Sequence, residues 1–144
     1  MSKWSKEDLT QHSAVGAVIQ DPKTGHVLIQ KHNKLQMYTI PSGKFKKETK
    51  PADALRTELM EECGITPTEF EQIDHSIFHA DRDGQKMAVP THIFLVKKYD
   101  GEIKNNEPDK HEEQEFMDPN KLVMDGKPIS YILQRWLRHQ REKK

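Results

Sequence analysis

Apolar residues over the first third of the chain come in short, β-branched runs. "HSAVGAVIQ" (12–20) and "HVLIQKH" (26–32) read as two strands, and "DPKTG" (21–25) between them is a turn signal, so the pattern predicts a hairpin. "MYTIPSGK" (37–44) predicts a short strand stopped by Pro41 and a Ser-Gly turn. The period then changes. Pro51 suits the first turn of a helix, Ala52, Leu55, Leu59 and Cys63 recur at helical spacing, and Gly64 stands where a C-cap belongs. "FEQIDHSIFHA" (70–80) and "KMAVPTHIFLVKKY" (86–99) predict a second strand pair turned at "DRDGQ" (81–85), with Pro90 marking an edge or a bulge. "DGEIKNNEPDKHEE" (100–113) reads as polar loop and "QEFMD" (114–118) as a short strand. "ISYILQRWLRHQREKK" (129–144) is an amphipathic helix with Ile129, Ile132, Leu133, Trp136 and Leu137 on one face, and its basic end complements the helix dipole. Strands around one central helix, closed by another, imply α+β or mixed α/β layers in a single domain, 1–144.

Charge and composition narrow the functional classes. The chain has 144 residues, with 23 Lys+Arg against 23 Asp+Glu. That balance argues against a dedicated nucleic-acid or membrane-surface binder, which usually carries a basic excess. No run approaches membrane-span length, and the polar start "MSKWSKEDLTQH" has no signal-peptide core. A lone cysteine, Cys63, excludes an internal disulfide and a Cys-based zinc site. These features predict a cytoplasmic protein.

The central helix carries the chemistry. Glu58, Glu61 and Glu62 stand at i, i+3 and i+4, in one sector at 100° per residue, where like charges repel. Leu55 and Leu59 lie beside them, so the stripe borders the core. Most such stripes are solvated helix faces. The other reading is that a cation belongs there, because carboxylate and carbonyl oxygens are what Mg²⁺ and Mn²⁺ prefer. Gly43 supplies a turn where a backbone carbonyl can come close.

Residues 43–65, "GKFKKETKPADALRTELMEECGI", resemble the Nudix box, Gly-x5-Glu-x7-Arg-Glu-U-x-Glu-Glu-x-Gly-U, where U is a bulky aliphatic. Gly43, Glu58, Leu59, Glu61, Glu62, Gly64 and Ile65 fall in register. A preceding hairpin, the "TIPSGK" turn, a later strand pair and a C-terminal helix extend the likeness to MutT-like, nucleoside-triphosphate-cleaving members of the Nudix hydrolase family. Two positions depart: the box Glu falls on Thr49 and the box Arg on Thr57, with Glu48 and Arg56 one residue early. Both in-register partners of the family's supporting ion pair are missing, so neither leaves the other stranded. An Arg restored at 57 alone is expected to help little or to destabilise, as an unpaired charge at a core border.

The resemblance implies a Nudix-type α/β/α sandwich with a mixed sheet, a box loop-helix carrying the metal site and a C-terminal helix. It implies a pyrophosphohydrolase that cleaves a nucleotide's diphosphate linkage with Mg²⁺ (or Mn²⁺). The implied catalytic residues are Glu58, Glu61 and Glu62, with Gly43 as a further metal ligand. By analogy with MutT-type members, Glu58 is ligand and base together. Lys44, next to the box Gly, is the implied phosphate contact, against a solvated loop lysine.

"NNEPDKHEEQEF" (105–116) resembles the family's "EP[DE]KC-x-x-x-W" segment, in which an acidic residue completes the metal cluster. Glu107 is the first choice, with Glu112 and Glu113 as alternatives, and a plain acidic loop is the competing reading. His111 replaces the Cys, and Gln114 and Phe116 flank the position of the aromatic. His75, His79 and His92 suggest a transition-metal site less readily than a strand surface or cleft wall. Trp4 and Trp136 are stacking candidates, but Trp136 lies on an apolar helix face.

The chain lacks the family's signatures for NADH, coenzyme A, dinucleoside polyphosphates and ADP-ribose. The expected partner is therefore a nucleoside triphosphate. The alternatives are ADP-ribose or a nucleoside-diphosphate sugar, a dinucleoside polyphosphate, a capped RNA end (the one nucleic acid expected), or nucleotide binding without catalysis. No membrane partner is expected, and a homodimer is left open.

Overall fold

A computed structural model describes residues 12–82 and 84–142. Trp4 lies outside them. Seven strands form two sheets. The first runs β4-β1-β6-β5, from β1 (His12–Ile19), β4 (Ser42–Lys46), β5 (Thr66–Arg82) and β6 (Gln85–Asp100). The second runs β3-β2-β7, from β2 (Val27–His32), β3 (Met37–Thr39) and β7 (His111–Met117). Helix α1 is Pro51–Cys63, α2 is Pro119–Met124 and α3 is Tyr131–Glu142. Strands β1 and β6 are parallel and every other pair is antiparallel, so the sheet is mixed as expected.

Strands β1 and β2 divide their side chains between two cores. Val15, Ala17, Ile19 and Leu28 pack with Ala54, Leu55, Leu59 and Cys63 of α1. Val18, Val27 and Ile29 pack with Ile132, Leu133, Trp136 and Leu137 of α3. The two helices therefore cover opposite faces of the strand layer, the α/β/α order the sequence predicts. Strands covered on both faces read as continuous apolar runs, not as alternation.

The predicted β1–β2 hairpin is not formed. Strand β1 lies between β4 and β6, and β2 between β3 and β7, so the two are not neighbours within either sheet. A single bridge, Gln20 to Val27, joins their ends. The turn at 21–25 carries the chain from one sheet to the other.

Other boundaries move as well. The expected Ser-Gly turn at 42–43 is the start of β4, which pairs with β1. Strand β7 begins at His111, inside the predicted loop. Helix α2 was not expected, although Asp118 before Pro119 is a start signal, and its side chain accepts from the Asn120 N–H at 3.0 Å. Pro90 pairs with Ile77 where β6 has no second neighbour, since β1 joins β6 only from Thr91, so the expected edge is present. Arg135 of α3 grips Asp74 of β5 through two bonds, 2.8 and 3.0 Å. Trp136 is core, 4% exposed. Among the described residues no helix is long and apolar enough to cross a membrane.

Candidate active site

The end of α1 is closed by backbone chemistry. Gly64 adopts φ 71°, and its N–H and that of Ile65 bond back to Met60 and Leu59. Two more terminal carbonyls are taken by the loop after β6. Lys104 N–H donates to the Cys63 carbonyl at 2.9 Å, and Asn106 N–H to the Glu62 carbonyl at 3.0 Å. These bonds satisfy groups a helix end leaves open and fasten the loop beside the last glutamate of the stripe. Glu107 follows directly.

The three box glutamates have different surroundings. Glu61 is exposed, Glu58 is half-buried and Glu62 is only 2% exposed. The stripe thus crosses the border of the core, and its last member lies inside. Glu58 stands over Gly43 of β4, so closely that a Cβ there would overlap its carboxyl group. Glu62 faces β2, where the Gln30 Nε2 is 3.5 Å from its Oε1.

Burial pushes the Glu58 carboxyl up to about 7, with the Glu61 charge adding to the shift, Lys110 opposing it and Glu107 adding again. Burial pushes Glu62 up to about 8, aided by the charges of Glu58 and Glu107 and opposed by Lys110 and by the Gln30 N–H. Glu58, Glu61, Glu62 and Glu107 therefore form one electrostatically coupled group. Glu112 and Glu113 do not belong to it, because both pair with Lys31, at 3.3 and 3.8 Å.

Lys44 is not brought to this group. Gly43 and Phe45 face α1, so strand alternation turns the exposed Lys44 to the opposite face. The lysine whose charge reaches Glu58 and Glu62 is Lys110, 3.7 Å from Glu107. Its signal in the sequence is the "EPDK" run, where the neighbouring acids dominate. Gln30 was also missed, since one glutamine in an apolar strand carries no motif.

One altered box position, Thr57, is accounted for locally. Thr57 is exposed and its hydroxyl donates to the Asp53 carbonyl at 3.2 Å. Arg56 pairs with Asp53 at 3.0 Å and lies over the Phe70 ring. The core-border environment expected at 57 is thus not found.

His75 and His92 stack in register with centroids 4.4 Å apart, and His92 is held below its usual range by burial and by His75. His79 lies further along β5, opposite Ala88, and the three do not converge. Among the described residues no three His, Cys, Asp or Glu side chains form a ready cage. Glu58, Glu61, Glu62 and Glu107 offer oxygen donors only, the kind a hard divalent cation prefers. A cleft of about 600 Å³, lined by Asp21, Lys97, Lys98, Tyr99, Asp100 and Phe116 among others, shares no residue with this cluster.

A fold with this helix, glycine and carboxylate arrangement is that of a Nudix domain. The NUDIX domain family model matches residues 10–137, and the chain belongs to that family of hydrolases. The fold is shared with the MutT NUDIX hydrolase from Burkholderia pseudomallei, at TM-score 0.73 and 21% identity over 89% of this chain and 96% of that one. It is similar to the MutT protein from Methanosarcina mazei Go1, with TM-score 0.73 and 19% identity over 94% and 96% of the two chains. It also resembles the NUDIX domain of Shewanella oneidensis NrtR complexed with ADP ribose, with TM-score 0.70 and 13% identity over 99% and 94%. At these identities the likeness is one of fold. No curated protein matches the chain significantly.

Proposed function

We propose that the chain is a Mg²⁺-dependent pyrophosphohydrolase that cleaves nucleoside triphosphates to monophosphate and pyrophosphate. The observation that carries this is the coupled carboxylate group, with Glu58 against Gly43 and Glu62 buried behind it. Glu58, Glu61, Glu62 and Glu107 would hold the cation, with the Gly43 carbonyl as a further ligand and Mn²⁺ as a substitute. When bound, such an ion neutralises phosphate oxygens and lowers the pKa of a water molecule. Glu58, against Gly43, would take the proton from the attacking water. Glu62, almost closed off from solvent, serves as a ligand. Lys110 offsets part of the negative charge and is suited to meet a phosphate.

Strand β7 carries Glu115 at the position of the family's Trp, so base stacking is weak and selectivity shallow. A lost stack is worth about 0.5–1.5 kcal/mol, roughly tenfold in preference. A panel of nucleotides with Mg²⁺ or Mn²⁺, read by product mass, tests this. Several triphosphates should be cleaved within about tenfold of one another in kcat/KM, with ADP-ribose poorer. A hundredfold preference for ADP-ribose or a dinucleotide over every triphosphate contradicts the substrate. Tight nucleotide binding without any product would instead make this a binding module.

A further inference from the structure

Gln30 is wholly buried in the middle of β2. An amide in such a place costs about 1–3 kcal/mol unless its polar atoms are paired. Its cross-strand neighbour on β7 is Gln114, and the Gln30 Nε2 donates to the Gln114 Oε1 at 2.9 Å. The Gln30 Oε1 is buried without a partner. Satisfaction of Gln30 itself therefore does not dictate the orientation of its amide.

The groups around it do. The Gln114 Nε2 donates to the Lys104 carbonyl at 2.9 Å, and the Lys104 N–H is bonded to the end of α1. With its nitrogen committed, Gln114 turns its oxygen toward β2, where it meets the Gln30 Nε2 and the Cys63 thiol at 3.7 Å. Gln30 then has a second amide hydrogen on the side of Glu62, whose Oε1 is 3.5 Å away. Reversing the Gln30 amide would set its oxygen against both the Gln114 oxygen and the Glu62 carboxylate. The Gln30 amide nitrogen thus donates both ways, through Gln114 to the Lys104 carbonyl on one side and toward Glu62 on the other.

We infer that Gln30 and Gln114 are positioning residues, which fix the facing of the Glu62 carboxylate so that it can ligate a divalent cation. This rests on the metal site proposed above. Groups that orient ligands in this way typically contribute about 10–100-fold to metal affinity.

The test is Mn²⁺ binding to the intact chain, followed by electron paramagnetic resonance, with thermal unfolding in parallel. Gln30→Met and Gln114→Met keep length and remove the amide. Each should weaken Mn²⁺ binding by about 10–100-fold, and Gln30→Met added to Glu62→Gln should weaken it no further. If Gln30→Met fails to fold, Gln114→Met, at a half-buried site, carries the same test. Lower thermal stability with unchanged Mn²⁺ affinity would mean a structural role only and would overturn the inference. A wild-type chain that binds no Mn²⁺ would remove the metal site itself. Binding by wild type, lost in Glu62→Gln but kept in both Met variants, would overturn only the positioning role.

Discussion

Gly43 is defined by the carboxyl group that stands over it. The atoms nearest to a methyl group there are those of the flexible end of Glu58. Gly43→Ala should therefore fold with a stability change within about 1 kcal/mol, while hydrolysis falls at least about tenfold because Glu58 is displaced. Unfolding curves beside rates check this, and equal loss of both would contradict it. Glu62 gives a pH signature. Its carboxyl and that of Glu58 are pushed up to about 8 and about 7 in the folded chain, against the ordinary 4.5. Below 4.5 both folded and unfolded chains hold these protons, and the contribution to stability is fully present. Between 4.5 and about 8 the unfolded chain releases protons that the folded chain keeps, so metal-free stability falls as pH rises. The melting temperature without metal should drop from pH 5 to pH 8. Glu62→Gln should flatten part of that drop, and Mg²⁺ should raise the melting temperature more at pH 8 than at pH 6. A flat profile for the wild type would contradict the buried, coupled carboxyl groups.

Helix α1 was legible in the sequence because its signals are local. Pro51 begins it, Gly64 ends it, and Leu55 and Leu59 set the buried face that places the glutamates. The β1–β2 pairing was not legible, because a turn signal between two apolar runs says nothing about which edges are already filled. Double burial shows only when α3 is seen opposite α1. The depth of Glu62 was hidden for a related reason, since the partner that receives it, Gln30, comes from a distant strand. Thr57 was misjudged by taking the whole stripe as core border. The exposed site predicts that Thr57→Arg changes stability by no more than about 0.5 kcal/mol in thermal unfolding. A loss above about 2 kcal/mol would show that the helix packs more deeply there.

Taken whole, the molecule holds α1 between a strand layer and one loop. Strand β4 brings Gly43 to Glu58, β2 brings Gln30 to Glu62, and the loop after β6 brings Glu107 and Lys110 to both. Strand β4 adjoins α1 in sequence, while β2 and the loop after β6 are distant from it and meet it only in the fold. The family and the layer order were visible in one motif and its flanks, while the facing of Lys44 was not, because strand β4 was read as a turn. The claim on which the rest depends is that these carboxylates work with a divalent ion. Its most direct test is the release of pyrophosphate from a nucleoside triphosphate, followed with and without Mg²⁺, for the wild type, Glu58→Gln and Glu62→Gln. Release should require Mg²⁺ and fall at least about a hundredfold in each variant with the fold intact. Metal-independent release, or near-normal turnover in both variants, would contradict it.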